Sequence, residues 1–157
     1  MELKIRDAKL DDLKQINEIA LQIQKMHIKL RPDLFSSKDF IISEEYFNEV
    51  LTKGVIFVGE TDDKINSYAI CFIETKNDKK IIDIDAMAVH EKHKNQGIGT
   101  KMMNHIVDYA KKINCNILEL GVMSGNDEAA GFYKNYSMNE KYKRFELDLE
   151  GINNEKI

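Results

Sequence analysis

The spacing of apolar and polar residues changes period several times along the chain, and each change predicts an element. Leu3-Lys-Ile5-Arg alternates as a short strand does. Beyond Asp11 and Asp12, the residues Leu13, Ile16, Ala20, Ile23, His27 and Leu30 recur at the three- and four-residue spacing of one helical stripe. Pro32, the only proline, closes that helix. Ser43, followed by Glu44 and Glu45, supplies the capping hydroxyl and first-turn acids of a second helix. Residues 55–58, 65–74 and 81–89 read as strands. Asp62-Asp63-Lys64 and residues 76–79 have turn chemistry between them, so this section is antiparallel. After Gly97 the period becomes helical again, through Ile98, Met102, Ile106, Tyr109 and Ile113, with Asn114 as a left-handed stop. Residues 117–122 then predict a strand and 126–135 a helix. Residues 142–149 predict a last strand, with Phe145, Leu147 and Leu149 on one side.

A strand, a long helix and another strand in succession imply a parallel pair with a right-handed crossover. The predicted order is β-α-α-β-β-β-α-β-α-β, an α/β chain with a mixed sheet of α+β character and helices on its faces. Residues 1–150 fit one domain, and the polar residues 151–157 fit a flexible tail.

Composition narrows the function. Apolar residues make up 43% and charged ones 32% of 157, a globular balance that excludes a disordered chain. A net charge of −4 argues against a general nucleic-acid binder, which carries a basic surplus. No apolar run approaches the ~20 residues of a membrane span. Two cysteines, Cys71 and Cys115, with no signal-peptide pattern, point to a reducing cytoplasm, and Cys71 lies in an apolar strand as a core thiol would.

The chemistry concentrates between residues 87 and 101. A strand ends, a basic loop follows, and Gly97 and Gly99 open an amphipathic helix. Glycines let the backbone turn sharply and let a bulky anion reach amide hydrogens. The first N–H groups of a helix lack internal partners and suit a phosphate. Lys92, Lys94 and Lys101 add local positive charge. A P-loop pattern occurs nowhere, and Met102 stands where a dinucleotide fingerprint needs its third glycine. The glycine pair alone fits a plain strand-to-helix connection with a solvated charge run better than it fits an anion site. His90 and His93, three apart without nearby cysteines, do not make a zinc site, so no metal is expected.

Lys94-Asn95-Gln96-Gly97-Ile98-Gly99 resembles the [QR]-x-x-G-x-[GA] pyrophosphate loop of the GNAT superfamily of acetyltransferases. The preceding residues 85–89 resemble that family's fourth strand. Asn126-x-x-Ala129-x-x-Phe132-Tyr133 resembles its second motif, N-x-x-A-x-x-[LF]-Y. The resemblance covers nearly the whole chain. Three departures stand out. Lys94 replaces the usual Arg or Gln, Tyr136-Ser137-Met138 replaces a Gly-Phe pair, and the fourth strand carries aspartates where many relatives have glutamate.

The resemblance implies acetyl-CoA as co-substrate and a small-molecule or peptide amine as acceptor; the acidic balance and the lack of a long apolar run predict neither nucleic acid nor membrane as partner. Relatives often dimerise, so it also admits a homodimer. It implies direct attack of a primary amine on the thioester through a tetrahedral intermediate. Cofactor contacts would come from Met87, Ala88 and Val89, from residues 94–99 with Thr100, and from Asn126, Ala129 and Tyr133. A backbone N–H near Met87, at a strand bulge, would hold the oxyanion. Asp83, four residues before Met87, is the first choice of base and Asp85 the second; the two share a face unless a bulge intervenes. Tyr133 would protonate the leaving thiolate. His27 and Phe35 lie where the family builds its acceptor pocket. The alternative is an acyl-CoA sensor that keeps the fold and loop without the chemistry.

Overall fold

A computed structural model describes residues 2–36 and 42–150. The predicted tail, residues 151–157, lies outside them. The chain forms two compact units, Met1–Asn126 and Asp127–Ile157.

The first unit is built on a five-stranded sheet in the order β1-β2-β3-β4-β5. Its strands are β1 (Lys4–Asp7), β2 (Gly54–Thr61), β3 (Lys64–Lys76), β4 (Lys79–Val89) and β5 (Ile117–Leu120). Helices α1 (Leu13–Leu30) and α2 (Glu44–Lys53) precede β2, and α3 (Ile98–Lys112) connects β4 to β5. β1 to β4 pair antiparallel, and β4 with β5 is the parallel pair that the crossover helix predicts.

Local chemistry explains the joints. Asp62 and Asp63, then Asn77 and Asp78, all take positive φ, as a two-residue hairpin turn requires at both central positions. Short acidic and amide side chains tolerate that conformation because they bond locally. Ser43 caps α2 by accepting from the Tyr46 N–H at 3.0 Å. Asn114 ends α3 in the left-handed region at φ 62°. α1 stops at Leu30, two residues before Pro32, and follows a 3-10 turn at Leu10–Asp12. The first turn is tied to the sheet by Arg6, whose guanidinium donates to both oxygens of Asp12 and to Glu60.

Residues 55–58 are apolar without interruption because helices cover both sheet faces. On one face Ile56, Val58, Tyr68, Ile70 and Ala88 pack with Ile16, Ile19 and Ala20 of α1 and Phe47 and Val50 of α2. On the other face Phe57 meets His105 and Tyr109 of α3 edge-on, at 4.6 and 5.3 Å.

The second unit contains α4 (Asp127–Asn135). The last predicted strand is a correction. Residues 142–149 form no strand, and Tyr142, Phe145, Leu147 and Leu149 are 67, 90, 67 and 76% exposed. Alternation is only half of a strand's requirement; the other half is a neighbour for its N–H and C=O groups. Among the described residues the order ends at α4, giving five strands and four α-helices.

Candidate active site

The site is organised by β4. Its register against β3 shifts between Ile70 and Cys71, which leaves Asp85 as the extra residue of a bulge.

 Ile70 pairs with Ala86 and Cys71 with Ile84, so Asp85 has no opposite residue. The bulge resets the alternation. Asp83, opposite Phe72, and Asp85 share the face covered by α1 and α2; Ala86 and Ala88 continue on it, and Met87 turns to the other face with Ala69. The bulge therefore lies two residues before Met87, at one of the two candidate bases.

β4 is paired on both sides only through Ile84. Ile81 to Ile84 lie against Ile117 to Leu120 of β5, whereas Met87, Ala88 and Val89 pair with Ala69, Tyr68 and Ser67 of β3 and, among the described residues, with no strand on the other edge. That edge leaves backbone donors and acceptors available to an extended ligand.

The chain then runs into the loop. Gln22 on α1 holds its start: Oε1 accepts from the Glu91 N–H at 3.0 Å, and Nε2 lies 3.1 Å from His90 Nε2. Lys94, Asn95 and Gln96 are exposed, with Asn95 at φ 62°. Gly97 is the N-cap of α3 at φ 78°, and no side-chain oxygen caps the helix. Ile98 is buried and anchors the first turn, Gly99 is half-buried and Thr100 exposed. The N–H groups of Ile98, Gly99 and Thr100 are the first-turn donors that no carbonyl of the helix reaches. A Cβ on Gly97 would meet no protein atom within 4 Å, so the backbone is open to a bulky anion.

Below the bulge, acids gather. Asp83 is in register with Glu119 of β5, a like-charged pair of the kind that weakens a sheet. Burial first, then the charges of Glu119, Asp85 and Glu74, push the Asp83 carboxyl above its ordinary value. The Tyr46 hydroxyl of α2 donates to Asp85 Oδ2 at 3.2 Å. Burial and the Asp85 charge push that phenol up to about 12. They raise Tyr68 too, which is 2% exposed. Tyr46, Tyr68 and Glu119 carry no motif; only the register and the packing of α2 bring them to the aspartates.

At the end of α1, His27 stacks on Phe35 with ring centroids 4.9 Å apart, and burial lowers the His27 pKa. Asn126 immediately precedes α4. Within the second unit, Ala129 and Tyr133 are half-buried on α4, and Tyr133 meets Phe132 edge-on at 5.1 Å. Burial raises the Tyr133 phenol, so it stays protonated at neutral pH. Among the described residues no group of three His, Cys, Asp or Glu is disposed to hold a metal ion, and no helix is long and apolar enough to cross a membrane.

Residues 20–137 match the family described as the acetyltransferase (GNAT) family. The chain belongs to that family. It is 32% identical over 88 residues to an uncharacterized N-acetyltransferase of Methanocaldococcus jannaschii, a match covering 54% of this chain and 39% of that protein. The chain thus spans about two fifths of this relative's length. Its fold matches a mutant of the BH1408 protein of Bacillus halodurans with a TM-score of 0.87 and 26% identity, over 93% of this chain and 99% of that one. It also matches an acetyltransferase of Trypanosoma brucei with a TM-score of 0.73 and 15% identity, over 94% and 100% of the two chains. This GNAT chain therefore has the acyltransferase fold, with a five-stranded mixed sheet.

Proposed function

We propose that this GNAT protein is an N-acetyltransferase that moves an acetyl group from acetyl-CoA to a primary amine by direct attack. The observation that carries the reading is the half-paired end of β4 leading into the glycine-capped N-terminus of α3. Backbone groups available for an extended arm and uncapped amides suited to a pyrophosphate follow one another in the order that CoA presents those parts. When bound, acetyl-CoA supplies a thioester carbonyl already activated toward amines.

The remaining work falls to the chain. Met87, Ala88 and Val89 offer the edge that holds the pantetheine arm, and residues 94–99 with Thr100 hold the pyrophosphate. A backbone N–H near Met87 is assigned the charge that develops on the carbonyl oxygen. An ammonium must lose its proton before it attacks, and Asp83 is assigned that proton. Its raised pKa supports the choice, because a stronger base takes the proton more readily. Tyr133 keeps the role that its motif position implies, and its raised pKa keeps a proton on it for the departing thiolate.

Incubation with acetyl-CoA and a panel of primary amines is expected to release free thiol. No turnover with any amine, alongside calorimetric binding of acetyl-CoA, would instead make the chain a sensor. Gly97→Ala separates binding from folding. A left-handed alanine costs about 1 kcal/mol in strain, and the new methyl enters the space where the anion approaches. We expect acetyl-CoA affinity to fall roughly tenfold or more by calorimetry, for a small loss in melting temperature. An unchanged affinity would remove the loop from the cofactor site.

A further inference from the structure

Three polar groups on the α2 side of β4 have no part in the acetyl transfer described. Asp85 occupies the bulge, Tyr46 donates to it, and Tyr68 lies on the neighbouring strand opposite Ala88. Tyr68 is 2% exposed, yet among the described residues its hydroxyl has no hydrogen-bond partner. No side-chain polar atom sealed from solvent lacks a partner among the described residues, so this hydroxyl opens on space that a ligand atom can reach. Among the described residues, neither Asp83 nor Asp85 has a basic partner.

Asp83 and Asp85 are two residues apart on one face of β4, a separation of about 7 Å at most because the bulge shortens the advance of the strand. That separation suits the two nitrogens of a short aliphatic diamine. We propose that Asp85, Tyr46 and Tyr68 form a cation subsite beside Asp83, so that the acceptor is a short diamine or polyamine. One ammonium is held at Asp85 and the Tyr68 hydroxyl, and the other gives its proton to Asp83 and attacks. A lone amine would fill Asp83 and leave Asp85 with the Tyr46 hydroxyl and solvent in place of a cation.

This inference rests on the amine-acetyltransferase reading, and the test separates the two. 1,4-Diaminobutane and butylamine, matched in length, are compared as acceptors. The diamine is expected to show at least tenfold higher kcat/KM. Asp85→Asn is expected to collapse that preference by raising KM for the diamine more than it lowers kcat. Tyr68→Phe is expected to weaken the preference while the melting temperature holds, because no protein bond is lost. Equal kcat/KM for the two amines, or a preference that survives Asp85→Asn, would overturn the subsite and leave the acetyltransferase reading standing. If neither amine is acetylated, calorimetry with 1,4-diaminobutane still decides the subsite. At least tenfold tighter binding to the native chain than to Asp85→Asn supports it, and equal binding overturns it.

Discussion

Asp83→Asn is expected to lower kcat about a hundredfold, the scale on which a positioned base contributes, with little change in KM for acetyl-CoA. The substitution keeps the shape of the side chain and removes its ability to take a proton. The pH profile gives a second readout. Because burial and three neighbouring acids raise the Asp83 pKa, the acid limb of kcat/KM should lie above the ordinary carboxylate value of 3.8. It should disappear in the variant. Stability should move the other way. A carboxyl whose pKa is raised by folding binds more protons in the native state, so stability falls as pH rises from the unfolded value through the folded one. Above that window the ionised group opposes the fold, and asparagine relieves it. Thermal unfolding at neutral pH should therefore find the variant at least as stable as the native chain. A less stable variant with an intact rate would make Asp83 a structural residue and return the base to Asp85 or water.

Gly54→Ala should give the largest loss of stability. Gly54 opens β2 with an extended backbone, so strain is not the issue. A Cβ there would lie 1.8 Å from the Cys71 carbonyl oxygen and 2.9 Å from the Phe72 Cα. Both are backbone atoms, and no rotamer relieves the clash. The strands must separate, at a cost of about 3 kcal/mol, and the melting temperature should drop on the order of 10 °C. Activity should fall as well. Gly54 pairs with Phe72, Phe72 with Asp83, and Asp83 with Glu119, so the four lie on one line across the sheet. A melting temperature within a degree of the native one would show that β2 and β3 part freely there.

How much of this was legible in the sequence follows from the range of the interactions involved. The helical stripes, the Ser43 cap, the two positive-φ turns and the Asn114 stop are local, and each lies where its residues put it. The parallel β4–β5 pair could be read as well, because a helix of that length between strands leaves few alternatives. Residues 142–149 alternate as convincingly as β1 does, but β1 pairs with β2 and, among the described residues, they pair with no strand. Alternation carries no information about a partner. The loop and the two aspartates could be seen in the sequence, and their two-residue spacing already puts them on one face, whereas the placement of the bulge at Asp85 could not be read. It arises from a mismatch in residue count between β3 and β4. Tyr46 and Tyr68 reach the site through the packing of α2 and the sheet register, and no spacing along the chain announces either.

The parallel pair also orders events in time. β2, β3 and β4 are joined by two-residue turns, so their contacts close over short loops. β5 meets β4 only after the whole of α3, and the longer loop must be closed before its pairing is rewarded. The meander is therefore expected to form in the folding nucleus and β5 to dock after it. Repulsion between Asp83 and Glu119 arises only in that docking step, past the barrier. It should leave the folding rate alone and hasten unfolding, so Asp83→Asn should lower the unfolding arm of a chevron plot and leave the folding arm where it was.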